Sequence, residues 1–270
     1  MSLTVTVPRE DLQALLAASA RLGESLTRRD AAPAVRPAPV IATGGQAAAK
    51  PAPVDTPFRD EGKFYDWLRA NHMLGPKISQ DEFTGCDIIV KACYAAGWGI
   101  SWTAYALATA YHETAHTMLP IKEIGGTAYF TRMYDIKGNR PAKARELGNL
   151  TPGDGAKYCG RGYPQTTGKD NYRKATEKLR QLGFDVDLVN QPDRMMEPAI
   201  AAATMISGME EGWFTTRDLA DDLPRRGPAS MAQFVDSRDI INGRDKDDEI
   251  AAYANDWQTA LQHGGYREAA

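Results

Sequence analysis

Two glutamates and two histidines lie close together near the middle of the chain. His112, Glu113 and His116 form a His-Glu-x-x-His pattern, and Glu123 follows a short way downstream. On a helix, two histidines at this spacing share one face and bind Zn²⁺, while the glutamate acts as the base of a peptidase. Two carboxyl groups can instead split a glycosidic bond, when one donates a proton and the other activates water. These residues therefore predict either zinc chemistry or carboxylate chemistry.

A catalytic zinc site needs a third protein ligand besides His112 and His116. The histidine that would extend the pattern is missing, because Thr-Met-Leu-Pro follows His116, and Glu123 or Glu146 would have to take its place. The sequence thus favours a site without metal or other cofactor. A zinc metallopeptidase built on His112, Glu113 and His116 is the alternative.

The carboxylate interpretation needs one protonated and one ionised acid. Helical stepping places Glu113 in line with small, mainly apolar residues over 102–110, and such a face favours the neutral acid. Glu123, just past this helix, is the first candidate for the ionised partner, and Asp135 is the second. The structural alternatives are that Glu113 is a buried acid paired with a histidine or arginine, and that Glu123 is an exposed loop acid near Lys122.

The helix that must position Glu113 is the most apolar in the chain. Small and apolar residues cover most of its circumference from Ala104 onward, which predicts a buried central helix that ends at Pro120. Gly, Thr and aromatic residues over 125–139 then predict a small β-hairpin. Ser79-Gln-Asp-Glu82 predicts a capping box at the start of another helix. Further helices are expected over 170–182, 198–213, 231–234 and 246–262, so the fold class is mainly α with one minor sheet.

The part of the chain before this domain differs in composition. Leu12, Leu15, Ser19, Leu22 and Leu26 fall at alternating steps of three and four, which predicts a helical segment over 1–28 that docks on the protein itself or on a partner, or associates with a second copy. Residues 29–56 are rich in Ala and Pro and predict a semi-extended linker. The main domain is predicted over 57–270.

Composition excludes several classes of function. The formal net charge of -3 provides no basic field, so nucleic acid is not expected as a partner. The three cysteines have no paired spacing, which fits a reducing compartment. No transmembrane segment and no standard signal peptide are expected, and the protein is therefore predicted to be made in a cytoplasm.

Two longer motifs accompany the glutamates. The first runs from Gly160 to Tyr172 as Gly-Arg-Gly-x-x-Gln-x-Thr-Gly-x-x-Asn-Tyr, and the second is Arg238-Asp-Ile-Ile-Asn-Gly243. Together with His112-Glu-Thr-Ala and the segment 117–123, they make the chain resemble glycoside hydrolase family 19, which comprises chitinases and phage endolysins. The resemblance covers roughly residues 64–261, and the start of this range is similar to the phage members.

The resemblance implies a lysozyme-like fold with a small hairpin beside a cleft. It further implies hydrolysis of β-1,4 bonds in peptidoglycan with inversion and without metal. In this family pattern Glu113 is the general acid, Glu123 is the base and Thr167 helps to hold the water. The positions that match the lining of the sugar cleft are Gln165, Asn171, Tyr172 and Asn242.

The residue types support part of this assignment independently. Gln165 and Asn242 are amides that can donate to and accept from sugar hydroxyls and acetamido groups. Tyr163 and Tyr172 offer flat faces for sugar rings. Loop or core structure is the alternative role for each of these four residues.

The resemblance also suggests a setting for the protein. It predicts a muralytic enzyme made in a host bacterial cytoplasm that acts at the periplasmic wall, with the segment 1–28 binding a phage structural partner or a second copy. A wall-binding or virion protein that no longer cleaves is the non-enzymatic alternative. Glu113, Gln165 and Thr167 are all present, which argues against that alternative.

Overall fold

The computed structural model describes residues 56–75, 77–241 and 245–268. The predicted helical segment 1–28 and nearly all of the predicted linker lie outside these ranges, and both stay predictions. The described α-helices, numbered in chain order, are α1 (Glu61–Ala70), α2 (Gln80–Ala95), α3 (Ile100–Glu113), α4 (Thr127–Tyr134), α5 (Pro141–Glu146), α6 (Asp154–Lys157), α7 (Lys169–Gln181), α8 (Pro198–Glu210), α9 (Leu219–Asp222), α10 (Met231–Asp236) and α11 (Asp247–Gly264). Two short 3₁₀ helices span Pro192–Met196 and Ser237–Ile240.

Helix α3 is the buried centre of the domain, as its apolar circumference predicts. Every residue from Ile100 to Tyr111 is buried. Helix α11 packs along α3 and also contacts α1, while α2 covers α3 from another side. Because neighbours surround α3, its last residue, Glu113, is delivered to the edge of the core at a fixed position.

Helix α3 ends earlier than the sequence predicts. Pro120 was expected to stop it, but the last helical residue is Glu113 and Thr114 forms the C-cap. Thr114 donates its hydroxyl to the Ala110 carbonyl and accepts from the Met118 backbone N–H, which turns the chain away from the helix axis. The residues Ala115, His116 and Met118 then adopt left-handed backbone angles.

The predicted capping box at α2 is present. The Ser79 hydroxyl accepts from the Glu82 backbone N–H at 3.2 Å, and the Glu82 carboxylate accepts from the Ser79 N–H at 2.7 Å. Further along α2, a Cβ atom on Gly85 would clash with the Met118 carbonyl oxygen. Glycine is required there because α2 and the loop after α3 approach each other so closely.

One two-stranded sheet occurs in the described chain. Strand β1 (Ile121–Lys122) pairs antiparallel with β2 (Arg161–Gly162), with Ile121 opposite Gly162 and Lys122 opposite Arg161. The Glu123 N–H extends this ladder by donating to the Gly160 carbonyl oxygen at 2.8 Å. The sheet therefore joins the loop after α3 to the Gly-Arg-Gly motif.

The hairpin predicted over 125–139 is wrong, because this segment contains helix α4. Thr, Tyr and Phe favour strands, but packing overrides this preference. Phe130 is buried on the inner face of the helix, and α4 packs against α6. Asp135 forms the C-cap of α4.

The fold class is nevertheless confirmed. The described chain is mainly α-helical with one two-stranded sheet beside a cleft. None of the described helices has the length and apolar character needed to cross a membrane.

Glu210, the last residue of α8, gives the fold a pH dependence. Burial raises the pKa of Glu210 to about 7 from its ordinary value of 4.5, and the nearby Arg225 opposes this only in part. Between pH 4.5 and about pH 7, Glu210 is protonated in the folded protein but ionised in the unfolded chain. The free energy of unfolding therefore falls as the pH rises through this range. Above about pH 7, where Glu210 is ionised in the folded protein, its burial lowers the free energy of unfolding by roughly 3 kcal/mol.

The wild-type protein is expected to lose stability between about pH 5 and pH 8, and Glu210→Gln is expected to abolish most of this decrease because glutamine does not ionise. Urea unfolding at both pH values measures the effect, with Glu177→Gln, an exposed substitution on α7, as the control. An unchanged difference between the two pH values in Glu210→Gln would contradict the prediction.

Candidate active site

The cleft consists of two adjoining cavities beside the end of α3. The smaller measures about 440 Å³ and the larger about 560 Å³. Both are lined by Glu113, Tyr134, Gln165 and Thr167, so they form two halves of one cleft. The smaller cavity is also lined by Glu123, and the structure thus brings both predicted glutamates to one site.

Glu113 lies at the point where the buried helix α3 reaches the cleft. Its side chain is 19% exposed, and Oε1 lies 3.6 Å from Nη2 of Arg238, which is itself buried. This distance is longer than a charge-assisted hydrogen bond. Arg238 is therefore placed to stabilise a carboxylate at Glu113 without closing a tight ion pair on it.

His112 precedes Glu113 and lines the smaller cavity. Burial lowers the pKa of His112 below its ordinary value of 6.5, and nearby Lys246 and Arg238 add to this while Glu113 and Glu249 oppose it. The imidazole is therefore mainly neutral at neutral pH. Because neutral His112 carries no positive charge, Arg238 is the charged side chain that contacts Glu113.

The two histidines of the His-Glu-x-x-His pattern do not share a helix face. Helix α3 ends at Glu113, between them, and the His116 backbone is left-handed. The His116 ring stacks on Tyr111, with centroids 4.0 Å apart and planes inclined by 8°. Within the described chain, no group of three or more His, Cys, Asp or Glu side chains is placed to hold a metal ion.

Glu123 is held in a more polar environment than Glu113. Its Oε1 accepts from the Tyr134 hydroxyl at 2.9 Å, and its Oε2 accepts from the Gly160 N–H at 3.1 Å. The side chain is half-buried, so the alternative of a freely exposed loop acid near Lys122 does not hold. Burial and the bond to Glu123 both raise the pKa of Tyr134, which keeps its hydroxyl protonated as a donor.

Asp135, the second candidate for the base, serves a structural purpose. Its buried carboxylate accepts from the N–H groups of Lys137 at 3.0 Å, Gly153 at 2.7 Å and Gly155 at 3.3 Å. Burial alone would raise the pKa of Asp135, but these backbone donors outweigh it and lower the pKa. Asp135 lines neither cavity, so Glu123 is the better placed of the two acids.

The Gly-Arg-Gly motif forms one wall of the cleft through a tight turn at Gln165. The Gln165 backbone is left-handed, and its Nε2 donates to the Ile121 carbonyl at 3.0 Å and the Gly162 carbonyl at 2.9 Å. Since both amide hydrogens are used, its Oε1 is the atom left for a substrate. The Thr167 hydroxyl donates to the Gln165 carbonyl at 2.9 Å and keeps its own lone pairs for water.

Asn171 extends this wall into the larger cavity. Its Nδ2 donates to the Thr167 carbonyl at 2.8 Å, which leaves one amide hydrogen and the oxygen for a ligand. Asn171 thus lines the larger cavity, and its contact with a sugar stays a prediction.

Tyr163 and Tyr172 do not offer ring faces to a sugar, and this expectation is corrected. Both side chains are fully buried. The Tyr172 hydroxyl donates to the Cys159 carbonyl and accepts from Arg161 Nη1 at 3.0 Å. Arg161 also pairs with Asp193 at 2.8 Å, and it therefore anchors the motif from behind.

Several residues of the cleft were not singled out from the sequence. The strand preference of residues 125–139 gives no sign that Tyr134 lines the cleft, and Arg238 belongs to the second motif without a predicted role of its own. Asn242 lies outside the described residues and stays a prediction. Additional side chains line the larger cavity, among them Lys143, Glu146, Phe214, Thr215 and Ile241.

Comparisons with known proteins give a distant likeness. No protein-family model matches the chain, and no curated protein does. Among solved structures, the chain is similar to chitinase C from Streptomyces griseus at 17% identity, with a TM-score of 0.46, covering 81% of this chain and 98% of that one. A mutant of chitinase C matches at 18% identity with the same TM-score and coverage. A bacterial family 19 chitinase matches at 18% identity with a TM-score of 0.41, covering 78% and 97%.

Proposed function

We propose that the protein is a glycoside hydrolase that cleaves β-1,4 bonds between amino sugars of peptidoglycan. The observation that carries the proposal is that Glu113 and Glu123 line one cavity in different surroundings. Glu113 ends a buried helix, whereas Glu123 accepts hydrogen bonds from a phenol and a backbone N–H. Glycosidases use such a pair, one carboxyl as acid and the other as base.

In the proposed reaction Glu113 donates its proton to the glycosidic oxygen as the bond to the anomeric carbon breaks. Glu123 takes a proton from a water molecule, whose oxygen attacks that carbon from the opposite face and inverts its configuration. The Thr167 hydroxyl accepts a hydrogen bond from this water. Arg238 stabilises the carboxylate that Glu113 becomes after it has given up its proton. Water later returns a proton to Glu113 and removes one from Glu123.

The substrate proposed for this cleft is a bacterial wall glycan. The motif resemblance to family 19, with its start similar to the phage members, is what supports peptidoglycan over chitin. Action at the periplasmic wall, and a phage partner or self-association through the segment 1–28, are further proposals that rest on the same resemblance.

The unaltered protein is expected to release reducing ends from purified peptidoglycan, and to do so equally well in the presence of a metal chelator. Reducing-end assays with and without chelator measure this, colloidal chitin serves as the comparison substrate, and NMR of the first product identifies the anomer. The α-anomer is expected from a β-linkage if the reaction inverts.

Two results would count against the proposal. Release of new amino groups from peptidoglycan instead of reducing ends, lost in chelator and restored by Zn²⁺, would favour the metallopeptidase alternative. Binding to peptidoglycan without any release of reducing ends would favour the wall-binding alternative.

A further inference from the structure

Ile124 is the most exposed of the large hydrophobic side chains in the described chain. It is 92% exposed, compared with 64% for Leu150 and 46% for Met231. A single exposed aliphatic residue is common on protein surfaces. Ile124 differs from the other two because it directly follows Glu123 and lines the smaller cavity.

The backbone on both sides of Ile124 is fixed. On one side, Glu123 donates its N–H to Gly160, and its carboxylate accepts from Tyr134. On the other side, a Cβ atom on Gly125 would lie 2.7 Å from a ring carbon of Tyr129 and 3.0 Å from the Phe130 ring. Glycine lets the chain rest directly on these aromatic rings. The fold therefore holds Ile124 out in solvent at the cavity.

The chemistry of the smaller cavity shows what Ile124 adds to it. Besides Ile124, the apolar residues that line this cavity are Ala115 and Ile121, and the remaining six are polar: His112, Glu113, Glu123, Tyr134, Gln165 and Thr167. The polar groups can bind hydroxyl and amide groups of a sugar, whereas its apolar parts need an apolar side chain. Ala115 is small and Ile121 is half-buried, so Ile124, which is 92% exposed, is the large apolar side chain most open to a ligand. The apolar group that distinguishes an N-acetylated amino sugar from a plain amino sugar is the methyl of its acetamido group.

We propose that Ile124 is a specificity-determining residue that covers the acetamido methyl group of the sugar bound beside Glu123. This inference rests on the proposed function, since it assumes that the cleft holds an amino-sugar glycan. Binding removes both the methyl group and part of the Ile124 side chain from water, and the affinity gained is that of apolar burial. The protein therefore prefers N-acetylated glycans to de-N-acetylated ones.

The test compares the affinity of two soluble ligands, a tetramer of N-acetylglucosamine and a tetramer of glucosamine, by calorimetric titration. Ile124→Ser is expected to weaken binding of the N-acetylated tetramer by about 4- to 10-fold, and to leave binding of the glucosamine tetramer unchanged. Leu150→Ser is the matched control, because Leu150 is exposed but lines neither cavity. Thermal unfolding of both variants should match that of the unaltered protein.

The inference would be overturned if Ile124→Ser bound the N-acetylated tetramer as tightly as the unaltered protein does. It would also be overturned if Ile124→Ser lost the same affinity for both tetramers, or if the unaltered protein bound neither tetramer. Failure of the proposed function appears in a different measurement, the release of reducing ends from peptidoglycan. A protein that binds the N-acetylated tetramer through Ile124 but releases no reducing ends would support this inference and contradict the proposed function.

Discussion

Glu113→Gln is expected to lower glycan cleavage by about 10²- to 10⁴-fold while the fold stays intact. Glutamine has nearly the same shape as glutamate but has no acidic proton to give to the leaving oxygen. The fold should tolerate the change because Glu113 is the last residue of α3 and makes a contact of 3.6 Å, not a close ion pair, with Arg238. Reducing-end release from peptidoglycan measures the loss, and circular dichroism and thermal unfolding report on the fold.

Glu146→Gln is the matched control for this variant. Glu146 lines the larger cavity but is mainly exposed, and it pairs with Lys143 at 2.6 Å on the surface of α5. Its replacement should change the rate little, since surface pairs of this kind contribute little free energy. Full activity of Glu113→Gln, or an equal loss in Glu146→Gln, would remove Glu113 from the role of acid.

Much of the helical fold could be predicted from local patterns. The apolar circumference of α3 predicts its burial, and the Ser79 to Glu82 spacing predicts a cap that the structure contains. These features depend on neighbours within a few residues, whose interactions are set by helix geometry. The end of α3 was missed because Thr114 and the left-handed residues after it turn the chain before Pro120 is reached.

The errors concern contacts between residues that are distant in sequence. Thr, Tyr and Phe over 125–139 suggested strands, but Phe130 is buried when the segment is helical, and no local pattern reports that packing. Tyr163 and Tyr172 look like sugar platforms from their residue type alone. Their burial depends on the core formed behind the Gly-Arg-Gly motif, which a single sequence does not reveal.

The sequence places the two glutamates close together but gives no sign of their surroundings, and their catalytic roles stay predictions. The chemical need for two carboxyl groups identified Glu113 and Glu123, and both line the smaller cavity. Arg238 reaches Glu113 from a distant part of the chain, and Tyr134 reaches Glu123 from helix α4. Neither contact could be predicted from the sequence, because catalysis does not require Arg238 or Tyr134 to lie a fixed number of residues from its glutamate.

Glu123→Gln is expected to lower glycan cleavage by about 10²- to 10⁴-fold, because glutamine cannot take the proton from the attacking water. Its amide oxygen can still accept from Tyr134 or Gly160, so stability should change little. Asp135→Asn should behave in the opposite way. It weakens the charge-assisted bonds from Lys137, Gly153 and Gly155, at a cost of about 2 kcal/mol in unfolding free energy.

The two variants separate the base from the structural acid when rate and stability are measured on the same samples. Asp135→Asn should retain its cleavage rate at temperatures where circular dichroism shows it folded, since Asp135 lines neither cavity. A folded Asp135→Asn without activity, beside an active Glu123→Gln, would transfer the role of base to Asp135. The water would then have to be bound outside the cavity that Glu113 and Glu123 line together, and Thr167 could no longer hold it.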